Sequence, residues 1–273
     1  MNPNDLYATS PLSQDLTLAG QGNTDSALRA GFRYFTGASG TINVAKAHQQ
    51  FALAAGKTPA ASAFLGYLDL IYNPSSALKA AGAGRMTSAA GAGDAIAQTL
   101  LGRMYHTGCS QFPQSSQQAQ ALYSATAGSF ALAQAYLGAL TLSSSRLNEA
   151  IALFKAASAT GEALADVLLA DYYLKKGGRP EVMEATRLLT SAAGKGNHFA
   201  MYRLAQVYRD GVGGAPPSAN RLSFNLFHKA AKMGYRPAQI QVSACYAAGR
   251  GIGRDGRLAL FWLTMSQSKG RSL

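Results

Sequence analysis

Glycines at positions 56, 93, 128, 161, 196, 234 and 270 follow one another at intervals of 33 to 38 residues, and each closes the same short phrase. The phrase is a large apolar residue, two spacers and two small residues shortly before the glycine. Its clearest copies are Phe51/Ala54/Ala55, Tyr123/Thr126/Ala127, Leu189/Ala192/Ala193 and Phe227/Ala230/Ala231. Phe154/Ala157 and Leu263/Ser266 are looser copies, and a weaker one ends Ala89/Ala90. A second column follows nine or ten residues after the closing glycine: Leu65-Gly66, Leu101-Gly102, Leu137-Gly138, Leu169-Ala170, Leu204-Ala205 and Val242-Ser243. Three residues beyond it stand Tyr105, Tyr173, Tyr208 and Tyr246, with Tyr34 in the first copy; six beyond stand Gly37, Gly108, Gly211 and Gly249. Such a period marks a repeat array, in which no unit buries its apolar face without a neighbour.

The columns also say what each unit is. Ala200, Leu204, Tyr208 and Gly211 fall on one face of a helix that a glycine ends. Each unit therefore reads as helix A, a glycine-rich turn, helix B and a glycine-closed link. Composition agrees: 48% of residues are hydrophobic and only 14% charged, and the Ala-rich, Val-poor text favours helix over strand.

These columns resemble the Sel1-like repeat family, a relative of the tetratricopeptide arrays. Its pattern is best kept at the end of the chain, where Tyr246, Gly249, Gly251, Ile252, Asp255, Ala259 and Trp262 match in order. The resemblance spans about residues 26–270. It implies an all-α, right-handed αα-superhelical solenoid of about seven helix pairs that binds a macromolecule and catalyses nothing. Two units depart from the pattern. The second, residues 60–93, lacks the tyrosine, and Gly82 and Gly84 are expected to weaken its helix B; the third carries a long turn from His106 to Gln117. Residues 1–25 are polar and read as a disordered segment, and 271–273 as a tail.

The chain shows little of the chemistry an enzyme needs. Residues 251–256 spell G-x-G-x-x-G, but a dinucleotide site needs a preceding strand, and here a helix is expected. His48, His106, His198 and His228 are scattered, Glu181 and Glu184 read as the solvated start of a helix, and neither a nucleophile elbow nor a P-loop occurs. Cys109 and Cys245 form no zinc spacing and, four units apart, are expected to be free thiols. No catalytic residue, cofactor site or metal site is expected.

A partner is expected on the face of helix A opposite the anchors. That face carries Tyr202, Gln206 and Arg209 in the sixth unit, Thr99, Arg103 and His106 in the third, and Val167, Asp171 and Leu174 in the fifth, with Tyr67 and Ile240 as counterparts elsewhere. Tyr and Arg are the residue types that most often anchor interfaces. Charge points to the other end of the chain. Residues 195–273 hold twelve Lys or Arg against two acids, out of a net charge of +12. Leu260, Phe261, Trp262 and Leu263, set among Arg250, Arg254 and Arg257, suit an acidic protein partner with an apolar centre, or a second copy of the chain. The expected function is a bacterial protein-binding scaffold or adaptor in secretion, host interaction or envelope assembly. Alternatives are an immunity protein that neutralises a cognate toxin, a translocated effector led by the polar first 25 residues, and a nucleic-acid binder using the basic third. The start lacks the features of a signal peptide, and the longest apolar run, Phe130 to Leu142, is too short to span a bilayer. A cytoplasmic location, with non-classical secretion as the variant, is expected.

Overall fold

The computed structural model describes residues 3–7, 10–38, 42–143, 146–212 and 218–267, and these form helices and the turns between them. Fourteen of fifteen α-helices pair as the repeat demands. The pairs are α2 (Thr24–Thr36) with α3 (Val44–Ala55), α4 (Pro59–Tyr72) with α5 (Ser76–Gly91), α6 (Ala95–Thr107) with α7 (Ser116–Thr126), and α8 (Ala131–Ser143) with α9 (Leu147–Ala159). They continue with α10 (Ala163–Lys176) and α11 (Arg179–Gly194), α12 (His198–Arg209) and α13 (Ala219–Lys232), and α14 (Arg236–Ala248) and α15 (Gly256–Gln267). The chain divides into two compact units. Met1–Phe35 with Asn43–Thr160 holds the first four pairs, and Thr36–Ile42 with Gly161–Leu273 the last three.

Local chemistry starts and stops these helices. The side chains of Asn43, Ser75, Asp94, Ser115 and Asn197 each accept a hydrogen bond from a backbone N–H in the first turn that follows. Each satisfies a donor that the helix cannot. The columns read from the sequence set the packing inside each pair. A Cβ placed on Gly31 would lie 2.6 Å from the Phe51 ring, one on Gly102 2.7 Å from Tyr123, and one on Gly138 2.7 Å from Phe154. The small residue of helix A is thus the seat of the large residue of helix B. At the Ala205 and Ser243 seats a hydroxyl joins the helices: Ser223 Oγ donates to Ala205 O at 2.8 Å, and Ser243 Oγ to Ala259 O at 2.7 Å.

Two expectations are corrected. Gly82 does not loosen helix B of the second pair; α5 runs unbroken through it. A Cβ on either Gly66 or Gly82 would collide with the other's carbonyl oxygen, so the two glycines permit a backbone approach that offsets the propensity cost. The long third turn is ordered: Cys109 N–H donates to Phe112 O, and the buried Phe112 ring packs edge-on against Tyr105 at 5.3 Å.

The second correction concerns residues 1–25. A 3-10 turn, Pro3–Tyr7, precedes helix α1, Leu12–Gly20. Helix α1 carries the fully buried Asp15, which accepts from Arg29 at 2.9 and 3.0 Å and pairs with Arg33 at 3.2 Å. Gly22, at φ +90°, closes α1 as Gly93 and Gly196 close α5 and α11, and Asn23 caps α2 through Ser26 N–H. Helix α1 therefore takes the helix-B place of a repeat, which the polar composition of this stretch concealed. The tail at 271–273 lies outside the described residues.

The G-x-G-x-x-G stretch is a turn between helices α14 and α15. Gly251, at φ +75°, lies so close to the Asn220 carbonyl that a Cβ would collide with it, and Asp255 accepts from the N–H groups of Arg257 and Leu258. Among the described residues, Cys109 and Cys245 are both free.

Gly138→Ala is expected to lower stability by about 1–3 kcal/mol, because Phe154 must leave its seat. Gly84→Ala, with nothing within 4 Å of its Cβ, is expected to be neutral or stabilising. Asp15→Ala should cost about 3–5 kcal/mol by leaving two arginines without their buried acid. Urea unfolding of the three variants checks these values.

Candidate protein-binding surfaces

The expected contact strip on helix A falls into separate parts, one in each unit. In the first, Arg103 sits directly after the small residue Gly102. Its guanidinium lies over the Tyr67 ring at 5.4 Å, on helix α4, and over the Tyr136 ring at 5.9 Å, on helix α8. Tyr136 is the largest influence holding the Arg103 pKa above its ordinary value, outweighing the cost of burial, so the group is a fixed cation. Tyr123 stacks on Tyr136 at 5.5 Å, and its fully buried hydroxyl has no hydrogen-bond partner. Burial pushes the Tyr123 phenol far above its ordinary range, so it remains a neutral donor. Tyr72, half exposed at the end of α4, completes the aromatic surround. His106 lies 6.2 Å from Tyr123, and burial holds its pKa below the ordinary value.

In the second unit, Asp171 follows the small residue Ala170 and accepts from Arg203 Nε at 2.8 Å. Arg203 in turn reaches Gln206 at 2.6 Å. Arg209 is committed to Asp210 at 2.7 Å and to Gln241 at 3.0 Å. Tyr202 packs against Phe227 at 5.4 Å and Tyr235 at 5.3 Å, while Ile240 is exposed. The expected anchors of this unit therefore largely engage one another.

Four expected contact residues, Tyr67, Thr99, Val167 and Trp262, lie inside. Thr99 is buried and donates to Ala95 O at 2.7 Å, with Thr126 Oγ1 at 3.4 Å. It stands three residues from Gly102, only about 60° round the helix, so the close approach of α7 covers it. Trp262 is buried in the same way, edge-on to His228 at 5.5 Å, because Ala259, Trp262 and Ser266 form the inward face of α15. The buried Tyr67 ring lies under Arg103 at 5.4 Å and packs edge-on against Phe35 at 5.7 Å. Arg250, Arg254 and Arg257 are exposed as expected.

Sequence reasoning missed Tyr136 and Arg203. Both stand two residues before the small position and meet the residue just after it in the preceding pair, Arg103 and Asp171 respectively. Their shared place in the repeat was the available signal.

Helices packed in pairs around small-residue seats, with repeated inter-pair contacts of this kind, define an αα-solenoid repeat protein. The Sel1 repeat family matches at residues 95–127, 198–235 and 236–270, so the chain carries Sel1 repeats at these positions. No curated protein matches it. Among solved structures, a Sel1 repeat protein from Oxalobacter formigenes matches with a TM-score of 0.58 and 20% identity, over 98% of this chain and 81% of its own. A protective antigen of uropathogenic Escherichia coli with an SLR fold matches with a TM-score of 0.55 and 23% identity, over 93% of this chain. The present chain spans 56% of that antigen's length. An immunity protein from Pseudomonas aeruginosa matches over 68% of this chain and 72% of its own, with a TM-score of 0.55 and 17% identity. At these identities the likeness is one of fold. Among the described residues no helix is long and apolar enough to cross a membrane.

A pH dependence follows from the histidines. Burial is the main cause that lowers the pKa values of His106, His198 and His228 below the ordinary 6.5; at His198 a backbone hydrogen bond with Thr36 opposes it. A lowered folded-state value favours the neutral imidazole, so this stability is complete above about pH 6.5 and is lost as pH falls. The melting temperature should therefore be higher at about pH 7.5 than at about pH 5.5, and His198→Gln should narrow the difference. Calorimetry of both proteins at the two pH values is the check.

Proposed function

We propose that the protein is a non-catalytic bacterial scaffold that binds another protein, with the exposed apolar face of helix α15 as the main docking face. One observation carries this reading. The residue that leads the repeat phrase is fully buried in six successive pairs, as Phe51, Met86, Tyr123, Phe154, Leu189 and Phe227, whereas Leu263 in the same place on α15 is 40% exposed. The next position tells the same story. Phe224 lies against Tyr246 of the following helix A at 5.4 Å, while Leu260, 36 residues on, is 65% exposed. Helix α15 thus keeps the apolar seat of a further helix, and none follows it among the described residues. Exposed apolar patches of this kind mark protein contacts.

Charge narrows the occupant. Exposed Arg250, Arg254 and Arg257 border the apolar residues, and the one acid among them, Asp255, is spent in capping α15. A helix with an apolar stripe and acidic flanks fits this surface. Partners in secretion, host interaction or envelope assembly are the narrower forms of the proposal. The role of immunity protein, which one protein of this fold bears in its name, is another.

Affinity capture with the intact chain from its source bacterium should recover one stoichiometric protein. The double variant Leu260→Asp/Leu263→Asp should lose it while keeping its helical circular dichroism and melting temperature. Retention by the variant would remove the docking face. Concentration-dependent dimerisation in light scattering would make a second copy the occupant, and salt-sensitive capture of nucleic acid would replace the protein-binding reading.

A further inference from the structure

We infer that Arg103 and Tyr123 form a receptor for a single carboxylate of the bound protein, on the helix-A face of the first unit. The inference rests on the protein-binding reading and adds a site remote in sequence from α15. It begins with a comparison between equivalent seats of the repeat. In the second unit the residue after the small position is Asp171, and the residue two before the small position of the next pair is Arg203; the two close an ion pair within the chain. In the first unit the same two seats hold Arg103 and Tyr136. The arginine has moved to the acid's seat, and a tyrosine faces it. Among the described residues its guanidinium meets the faces of Tyr67 and Tyr136 and no carboxylate. Stacking holds the planar group in one orientation, which lowers the entropy lost when its N–H groups are used.

The second observation is independent of the first. The Tyr123 hydroxyl is completely buried and has no hydrogen-bond partner, a state that costs free energy in a folded protein. Arg103 and Tyr136 are the groups that act electrostatically on it, so it belongs to the same cluster. A fixed cation and a neutral O–H donor, both set against the Tyr136 ring, suit a planar anion with two oxygens. His106, kept neutral by burial, adds no second charge at neutral pH. One positive charge matches a carboxylate and leaves a phosphate dianion uncompensated.

The carboxylate is that of an acidic side chain or of a chain terminus, and simple probes separate the two. The full chain, labelled with nitrogen-15 in arginine, is titrated with N-acetyl-glutamate amide, N-acetyl-phenylalanine and the neutral N-acetyl-glutamine amide, and the Arg103 Nε–H resonance is followed. A saturable shift is expected with at least one acid and none with the neutral amide. The first acid alone identifies a side-chain carboxylate, the second alone a terminal one. Arg103→Gln should abolish binding, and Tyr123→Phe should weaken it about tenfold, since a hydrogen bond to a charged group is lost. Tyr123→Phe should also melt no lower than the native protein, because its hydroxyl has no internal partner to lose. Equal shifts with the neutral amide, unchanged binding by Tyr123→Phe, or a lower melting temperature for that variant would each overturn the site. Partner capture that depends on Leu260 and Leu263 without any carboxylate response would remove this receptor and leave the docking face standing.

Discussion

The structure depends on how closely the two helices of a pair can approach. At Gly31, Gly102 and Gly138 the aromatic ring of helix B rests where a side chain of helix A would otherwise be. At Gly66 and Gly82 the approach is closer still, backbone against backbone. Dispersion and apolar burial both fall off steeply with separation, so this contact ties each pair into one body. A single period of about 36 residues then places the same seat, ring and closing glycine in pair after pair. Helix α1, with Gly22 behind it, shows that the pattern extends to a stretch where the buried Asp15 stands in place of the leading apolar residue.

Close pairing has a consequence for the outward face. Once the small position is buried against helix B, the residue just after it and the residue two before it are left to meet across neighbouring pairs. In the second unit this contact is filled with opposite charges, which satisfy one another at Asp171 and Arg203. In the first unit it is filled with a cation and aromatic rings, which hold the cation without neutralising it. The same geometry gives a closed seat in one place and a receptive one in another, and only the residue types differ. Helix α15 differs for another reason. Helix α15 has the residues of an interior helix B, including Leu260 and Leu263, at a place where no described helix follows.

Much of this was legible before any coordinates. The seven closing glycines located the seven pairs, and the tyrosine and glycine columns located the ends of several helices A. The repeat also explained the G-x-G-x-x-G stretch as a turn. The errors came where one residue was judged by its own propensity. Gly82 read as a helix breaker because its partner, Gly66, lies on another helix. Asp15 read as part of a polar leader because Arg29 and Arg33, which bury it, lie on α2. Thr99 and Trp262 read as contact residues because angular position on one helix does not say how near the next helix comes.

By itself the sequence determined the class of the protein. Periodicity is a property of the chain, and helix pairs that cannot bury their faces alone have one general solution, which is to stack. Only the tertiary structure decided which side chains are spent inside the stack and which are offered outside it. Arg103, Arg203 and Arg209 look alike in the sequence, yet one is held by rings and the other two by oxygens. That difference arises from contacts between repeats some thirty residues apart, where distance in space, and not order along the chain, sets whether a charge is answered.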